Sequence, residues 1–74
     1  PLAEWLRGPL KEWANHLLDE DKLKQENFFS ADVIKNMWNA HLSGQNYSYQ
    51  LWDVLMFQAW LEHQKLTYNS DLSS

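Results

Sequence analysis

The chain has 74 residues, no cysteine and a net charge of −4, and five of its residues are tryptophan. A chain this short forms one domain, and without cysteine neither a disulfide nor a cysteine-ligated metal can stabilise it. Nucleic-acid and membrane partners both require a cationic patch, so we expect neither. No segment resembles a signal peptide, and we therefore expect a cytoplasmic protein.

The first segment, Pro1–Gly8, carries apolar residues at the spacing of one helix face. Gly8 and Pro9 then predict the start of a second helix, because proline suits the first helical position, where its missing N–H costs nothing. The apolar residues that follow recur at helical spacing and predict an amphipathic helix that ends at about Leu18.

An acidic run follows, and either Asp19 or Asp21 can accept a backbone hydrogen bond and cap a short third helix that ends at Gln25. The next residues read as a connection between helices. Phe28 and Phe29 lie in that connection, and we expect both rings to be anchored in a core.

Ser30 is a suitable N-cap for a longer helix that Gly44 ends as its C′ residue. One stripe of this helix is predicted to face the core, and it consists of Val33, Ile34, Met37, Trp38, His41 and Leu42.

The last helix differs from the others because it is apolar on every side. It is predicted over Tyr49–Gln64, after a polar loop whose final residue, Ser48, can cap it. Nine of the eleven residues from 51 to 61 are apolar, and only Asp53 and Gln58 interrupt them. Such a helix is typical of a buried position, and the other helices are too few to cover it. The sequence therefore predicts a missing partner or a larger folding unit.

Together these elements predict an all-α fold, a small bundle of three to four helices over residues 1–64. The chain has no alternating β-branched run and no hairpin dipeptide that would predict strands. Residues 65–74 are polar and unpatterned, and they predict a disordered tail.

Candidate catalytic and metal-binding residues are scarce. The histidines, His16, His41 and His63, are 25 and 22 residues apart, so no two share a helix face at the spacing of zinc ligands. His41 lies on an apolar stripe and is expected to be a core histidine bonded to a neighbour. No glycine-rich phosphate loop and no nucleophile motif is present, so we expect no catalytic, cofactor-binding or metal-binding residue.

Asp53 is the only charged residue in the apolar part of the last helix. It could be a buried carboxylate with a special role. The favoured interpretation is structural: a salt bridge to a lysine or arginine elsewhere, or a position in the first turn of the helix.

Three stretches closely resemble the C-terminal end of glutamine-hydrolysing asparagine synthetases, in order and in spacing. They read PLAEWLRGPLKEWA from Pro1, MWNAHLSG from Met37 and YQLWDVLMFQAWLE from Tyr49. The resemblance extends to about Gln64. The three stretches together are specific for this family, although each stretch alone is only moderately specific.

The resemblance implies that the chain is the C-terminal helical part of a larger α/β synthetase domain. Its partners would be the remainder of that domain and a glutaminase domain. Family members use ATP and magnesium to convert aspartate to a β-aspartyl-adenylate, and ammonia from glutamine then converts this intermediate to asparagine. Their Ser-Gly-Gly-x-Asp-Ser loop, their catalytic lysine and their glutaminase cysteine have no counterpart here, so the chain alone is expected to be inactive.

Arg7 would lie nearest the active-site segment of such an enzyme. A contact with substrate or phosphate is one interpretation. The favoured one is structural, either a salt bridge or a contact with carbonyl groups at a helix C-terminus.

Other interpretations remain open at this point. Related amidoligases, such as β-lactam synthetases and macrolactam-forming cyclases, share the synthetase domain, and a free-standing helical interaction module is a further alternative. We also expect the isolated chain to self-associate through its Leu51–Leu61 surface.

Overall fold

The structure, a computed structural model, describes residues 1–73, with side chains described for residues 1–66. It contains five helices, and none of the described residues forms a strand. In chain order they are α1 (Leu2–Arg7), α2 (Lys11–Leu17), α3 (Glu20–Glu26), α4 (Ala31–Leu42) and α5 (Ser48–Ser73). The prediction of a small all-α bundle is confirmed, with five helices rather than three or four because α1 and α3 are each separate.

Side-chain caps set several of the helix boundaries. The carboxylate of Asp19 accepts from the backbone N–H of Lys22 at 3.2 Å, and the hydroxyl of Ser30 accepts from that of Val33 at 3.4 Å, as the sequence predicts. Gly44 follows the C-cap of α4 with φ of 120°, a left-handed conformation that glycine adopts without strain.

Two predicted helix starts are wrong. Gly8 and Pro9 belong to the turn between α1 and α2, in which the N–H of Leu10 donates to the carbonyl of Trp5, so α2 begins two residues later. Ser48 is the first residue of α5 and not its cap. The side-chain oxygen of Asn46 instead accepts from both the backbone N–H and the hydroxyl of Ser48, at 3.1 and 2.7 Å.

The core lies between α5 and the four shorter helices. α1, α2 and α4 all pack on α5, and α3 packs on α4. The buried apolar residues come from every helix: Leu6, Ala14, Leu17, Leu18, Leu23, Ala31, Ile34, Trp38, Leu51, Val54 and Leu55. The indole N–H of Trp38 donates to the side-chain oxygen of Asn15 at 2.6 Å, so this large ring is buried without an unpaired donor.

All four shorter helices lie on one side of α5 and leave its other side exposed, in agreement with the prediction that they are too few to cover it. The molecule measures 46 × 24 × 16 Å, and its shortest dimension is that of two helical layers. The buried face of α5 consists of Leu51, Val54, Leu55 and Gln58. The opposite face is exposed, and we call it the outer face: Tyr49, Asp53, Met56 and Trp60.

Phe28 and Val33, which the sequence predicts to lie in the core, are exposed. Phe28 is 62% exposed, and its ring packs edge-to-face with that of Phe57 on α5, while Phe29 is half-buried. Val33 is 56% exposed because the inward stripe of α4 is narrower than predicted and centres on Ile34 and Trp38.

The last helix continues beyond Gln64, where the sequence predicts its end. Lys65 and Leu66 are helical, and the ammonium of Lys65 pairs with the carboxylate of Glu26 at 2.7 Å. The backbone is helical as far as Ser73, so α5 runs through most of the predicted disordered tail, and Ser74 lies outside the described residues.

Leu55 and Met56 are neighbours on α5 that test the one-sided burial directly. Leu55→Ala removes a fully buried side chain and should lower the free energy of unfolding by about 3 kcal/mol. Met56→Ala is the matched control, since Met56 lies on the outer face, and it should change that free energy by no more than about 1 kcal/mol. Urea denaturation followed by circular dichroism measures both. Equal losses would contradict the arrangement.

Candidate functional site

Arg7 binds the C-terminal end of α4. Its Nε donates to the carbonyl of His41 at 2.7 Å, and its Nη2 donates to the carbonyl of Gln45 at 2.6 Å. Carbonyl groups in the last turn of a helix have no intrahelical partner and carry partial negative charge, so a planar cation with several donors suits them. The structural interpretation of Arg7 is confirmed, in its form of a contact with helix carbonyls.

His41 is fully buried and joins three segments of the chain. Its Nδ1 accepts from the backbone N–H of Tyr47 at 3.1 Å, which leaves the ring proton on Nε2, 3.0 Å from the carbonyl oxygen of Ala3. The ring also stacks on Trp38, with centroids 6.2 Å apart. The prediction of a core histidine bonded to its neighbours is confirmed.

Gln58 binds a second helix end, and in the sequence it stands out only as an interruption of an apolar run. Its amide nitrogen donates to the carbonyl of Leu17, the last residue of α2, and to the carboxylate of Glu26, both at 3.0 Å. The side chain of Glu26 is 4% exposed and also binds Lys65, so α2, α3 and α5 meet here. Its register with Leu51 and Leu55 identifies Gln58 as a core residue only once the packing shows which face of α5 is buried.

Glu62 connects α5 to α2 and α3. Its carboxylate accepts from the ammonium of Lys22, and its Oε1 lies 3.3 Å from Nε2 of His16. The hydrogen bond from Lys22 lowers the pKa of Glu62, partial burial opposes this shift, and His16 adds to the lowering. An acid held ionised in this way stabilises the bundle and does not suit proton donation at neutral pH.

An open groove of about 250 Å³ runs beside this ion pair. Trp13, His63 and Leu66 form part of its wall, together with His16 and Glu62. Among the side chains that the structure describes, no three His, Asp or Glu residues lie close enough together to hold a metal ion. The groove therefore does not provide the further ligands that His16 and His63 would need to bind a metal ion.

The described residues do not fit magnesium–ATP, the cofactor pair that the resemblance implies for a whole enzyme. A phosphate cradle needs glycines whose missing side chains let the phosphates approach the backbone. A Cβ at Gly44 would meet no atom within 4 Å, and one at Gly8 would meet only the carbonyl of Glu4 at 3.3 Å. Neither glycine lines a pocket that a phosphate could fill.

The outer face of α5 is the surface that points to a function. Tyr49 is 78% exposed, Trp60 55% and Met56 39%, although apolar side chains of this size are usually buried. The apolar surface continues sideways through Phe57, whose ring centroid is 6.0 Å from that of Trp60 and 5.2 Å from that of Phe28. Contiguous apolar patches of this kind mark interaction sites.

Asp53 lies within the outer face, which corrects one part of its structural interpretation, the position in the first turn of α5. It is exposed, it lies beyond the first turn of α5, and none of the ion pairs among the described side chains involves it. The predicted salt bridge therefore has no partner among the described side chains and stays a prediction.

Comparison with known protein families gives a match over most of the chain. The family model of asparagine synthase matches residues 1–62, which include α1 to α4 and every buried residue of α5. No curated protein and no solved structure matches the chain. Within the part of the chain that the structure describes, no helix is both long enough and apolar enough to cross a membrane.

Arg7→Met keeps the apolar stem of the side chain and removes both hydrogen bonds to α4. Hydrogen bonds from a charged donor contribute about 1.5 to 3 kcal/mol each when buried, and Arg7 is half-buried, so we expect a loss of about 2 kcal/mol. Arg7→Lys should recover part of this loss, because lysine keeps the charge but not the two-pronged geometry. Lys11→Met, at an exposed position, is the control in urea denaturation, and an equal loss there would contradict the capping role.

Glu62→Gln tests the ion pair through the pH dependence of stability. Because the folded-state pKa of Glu62 lies below its ordinary value of 4.5, its contribution is present above that pH and is lost as the pH falls through the lowered pKa. The free energy of unfolding should therefore fall less steeply on acidification in the variant than in the wild type. Thermal denaturation at a series of acidic pH values measures this slope. Glu12→Gln, exposed on α2, should keep the wild-type slope.

Proposed function

The chain belongs to the asparagine synthase family, and on that premise we propose that it is the C-terminal helical part of the synthetase domain of a glutamine-hydrolysing asparagine synthetase. The whole enzyme would make asparagine from aspartate, ATP and glutamine-derived ammonia through a β-aspartyl-adenylate. It would work in the cytoplasm, with ATP and magnesium bound by other parts of the protein. The role of these residues would be structural.

The exposed outer face is the observation that carries this proposal. α5 buries one face against its own short helices and presents Tyr49, Met56 and Trp60 on the other. A helix with two apolar faces is expected where it lies between two layers of a larger core. The remainder of a synthetase domain would supply the second layer.

The polar side chains that point into the bundle also support a structural role for this chain. Arg7, His41 and Gln58 direct their donors to carbonyl groups or carboxylates within the bundle. Side chains held in this way order the bundle and are not available to bind a substrate. The chain would contribute a rigid surface to the enzyme and no reacting group.

The choice of product depends on the resemblance of three stretches rather than on a substrate pocket. The three stretches are PLAEWLRGPLKEWA in α1 and α2, MWNAHLSG in α4 and its C-terminal turn, and YQLWDVLMFQAWLE in α5. They resemble asparagine synthetases, and for this reason we prefer that enzyme to related amidoligases. A free-standing interaction module would use the same outer face for a different partner. The family match favours the synthetase.

A chimera tests the proposal. In it, this chain replaces the C-terminal stretch that it resembles in a glutamine-hydrolysing asparagine synthetase of known activity. We expect the chimera to form asparagine in the presence of ATP. Trp60→Asp in the chimera puts a charge on the outer face and should reduce asparagine formation while glutaminase activity, measured as glutamate release, persists. Asn36→Asp, which adds the same charge at an exposed position of α4, is the matched control.

Two results would contradict the proposal. One is a soluble chimera that hydrolyses glutamine but forms no asparagine. The other is micromolar binding of magnesium–ATP by the 74-residue chain alone in a calorimetric titration, since a nucleotide site of its own is incompatible with a purely structural role.

A further inference from the structure

The outer face of α5 is apolar except at one point. Tyr49, Met56 and Trp60 are spaced by seven and four residues, and Asp53 lies between the first two on the same stripe. Any surface that covers this stripe must also cover the carboxylate of Asp53. Burying an ionised carboxylate without a counter-charge is strongly unfavourable, so the covering surface needs a group that can pair with Asp53 at that position.

The chain itself offers no cation for Asp53 on this stripe. From Tyr49 to Trp60 the sequence contains no lysine and no arginine. Arg7 is bound to the end of α4, and Lys22 and Lys65 pair with Glu62 and Glu26 across the inner side of α5. Lys24 pairs with Glu20, and none of the ion pairs among the described side chains involves Asp53, so a counter-charge would come from the surface that covers the outer face.

A second copy of the chain does not fit this requirement. A two-fold pairing uses the same patch on both copies, so two outer faces packed together would place two Asp53 carboxylates in one apolar interface. With no lysine or arginine on the stripe, both would be buried without a partner. Self-association through this face, which the sequence alone led us to expect, is thereby weakened by the one charge that the face carries.

We infer that the outer face of α5 docks on an apolar surface that places a lysine or arginine opposite Asp53. This inference rests on the proposed function in one respect: the covering surface belongs to the remainder of the synthetase domain. Apolar contact with Met56 and Trp60 supplies the binding energy, and the ion pair between Asp53 and the opposing cation selects the correct surface and its register.

Three amphipathic helical peptides test this chemistry on the 74-residue chain. They share one leucine-rich stripe and differ only at its central position, which is arginine, glutamine or glutamate. Binding of each fluorescein-labelled peptide is measured by anisotropy. We expect the arginine peptide to bind about tenfold more tightly than the glutamine peptide, and the glutamate peptide to bind least tightly.

Asp53→Asn isolates the contribution of the ion pair. The preference for arginine over glutamine should fall to within about twofold in this variant, since the neutral amide cannot form the ion pair. Glu12→Gln changes the net charge by the same amount at an exposed position of α2, and it should keep the full preference. In sedimentation velocity, Asp53→Asn should also increase self-association of the chain, because the repelling carboxylates are removed.

Several outcomes would overturn the inference. They are equal binding of the three peptides to the wild type, an arginine preference that persists in Asp53→Asn, and no binding of any peptide. The result is separable from that of the chimera. A peptide preference together with an inactive chimera would keep the chemistry of the surface and reject the synthetase domain as its source. An active chimera without the preference would keep the proposed function and reject the ion pair.

Discussion

The structure depends on the burial of one face of α5 against the shorter helices. α1, α2 and α3 have six or seven residues each, and α4 has twelve. Helices of this length are marginal in water by themselves, so their stability comes from packing. Leu51 and Leu55 are fully buried at the centre of that packing. Without this face of α5 the other helices have no common surface to cover.

Side-chain hydrogen bonds between the helices add to the stability that apolar burial provides. Short helices have many unpaired end groups for their length, and a two-layer bundle buries part of them. Here the ends of α2 and α4 are satisfied by Gln58 and Arg7, which are distant in sequence from the carbonyl groups they bind. His41 links the start of α1 to the residue before α5. These contacts specify which helix end meets which, a choice that apolar contacts alone do not make.

The two faces of α5 therefore have different functions. The inner face holds the bundle together and contains a polar residue, Gln58, whose donors are satisfied within the chain. The outer face contains a charged residue, Asp53, with no ion pair among the described side chains. The hydrogen bonds of the Gln58 amide nitrogen join helix ends and are structural, although Oε1 of the same side chain is buried without a partner among the described residues. An unpaired charge within an exposed apolar stripe indicates that the matching surface lies outside these residues.

The sequence by itself determined the helical class, most helix boundaries and the family. Local rules sufficed, because the caps at Asp19 and Ser30 and the turn at Gly44 depend on neighbouring residues. It also identified Arg7 and His41 as structural. Only the tertiary structure decided which side of α5 is covered, since a helix apolar all round has no periodicity that points inward. For the same reason, the opposite positions of Gln58 and Asp53 could not be read from the sequence: they differ by which face the neighbouring helices occupy, and that depends on the packing of the whole chain.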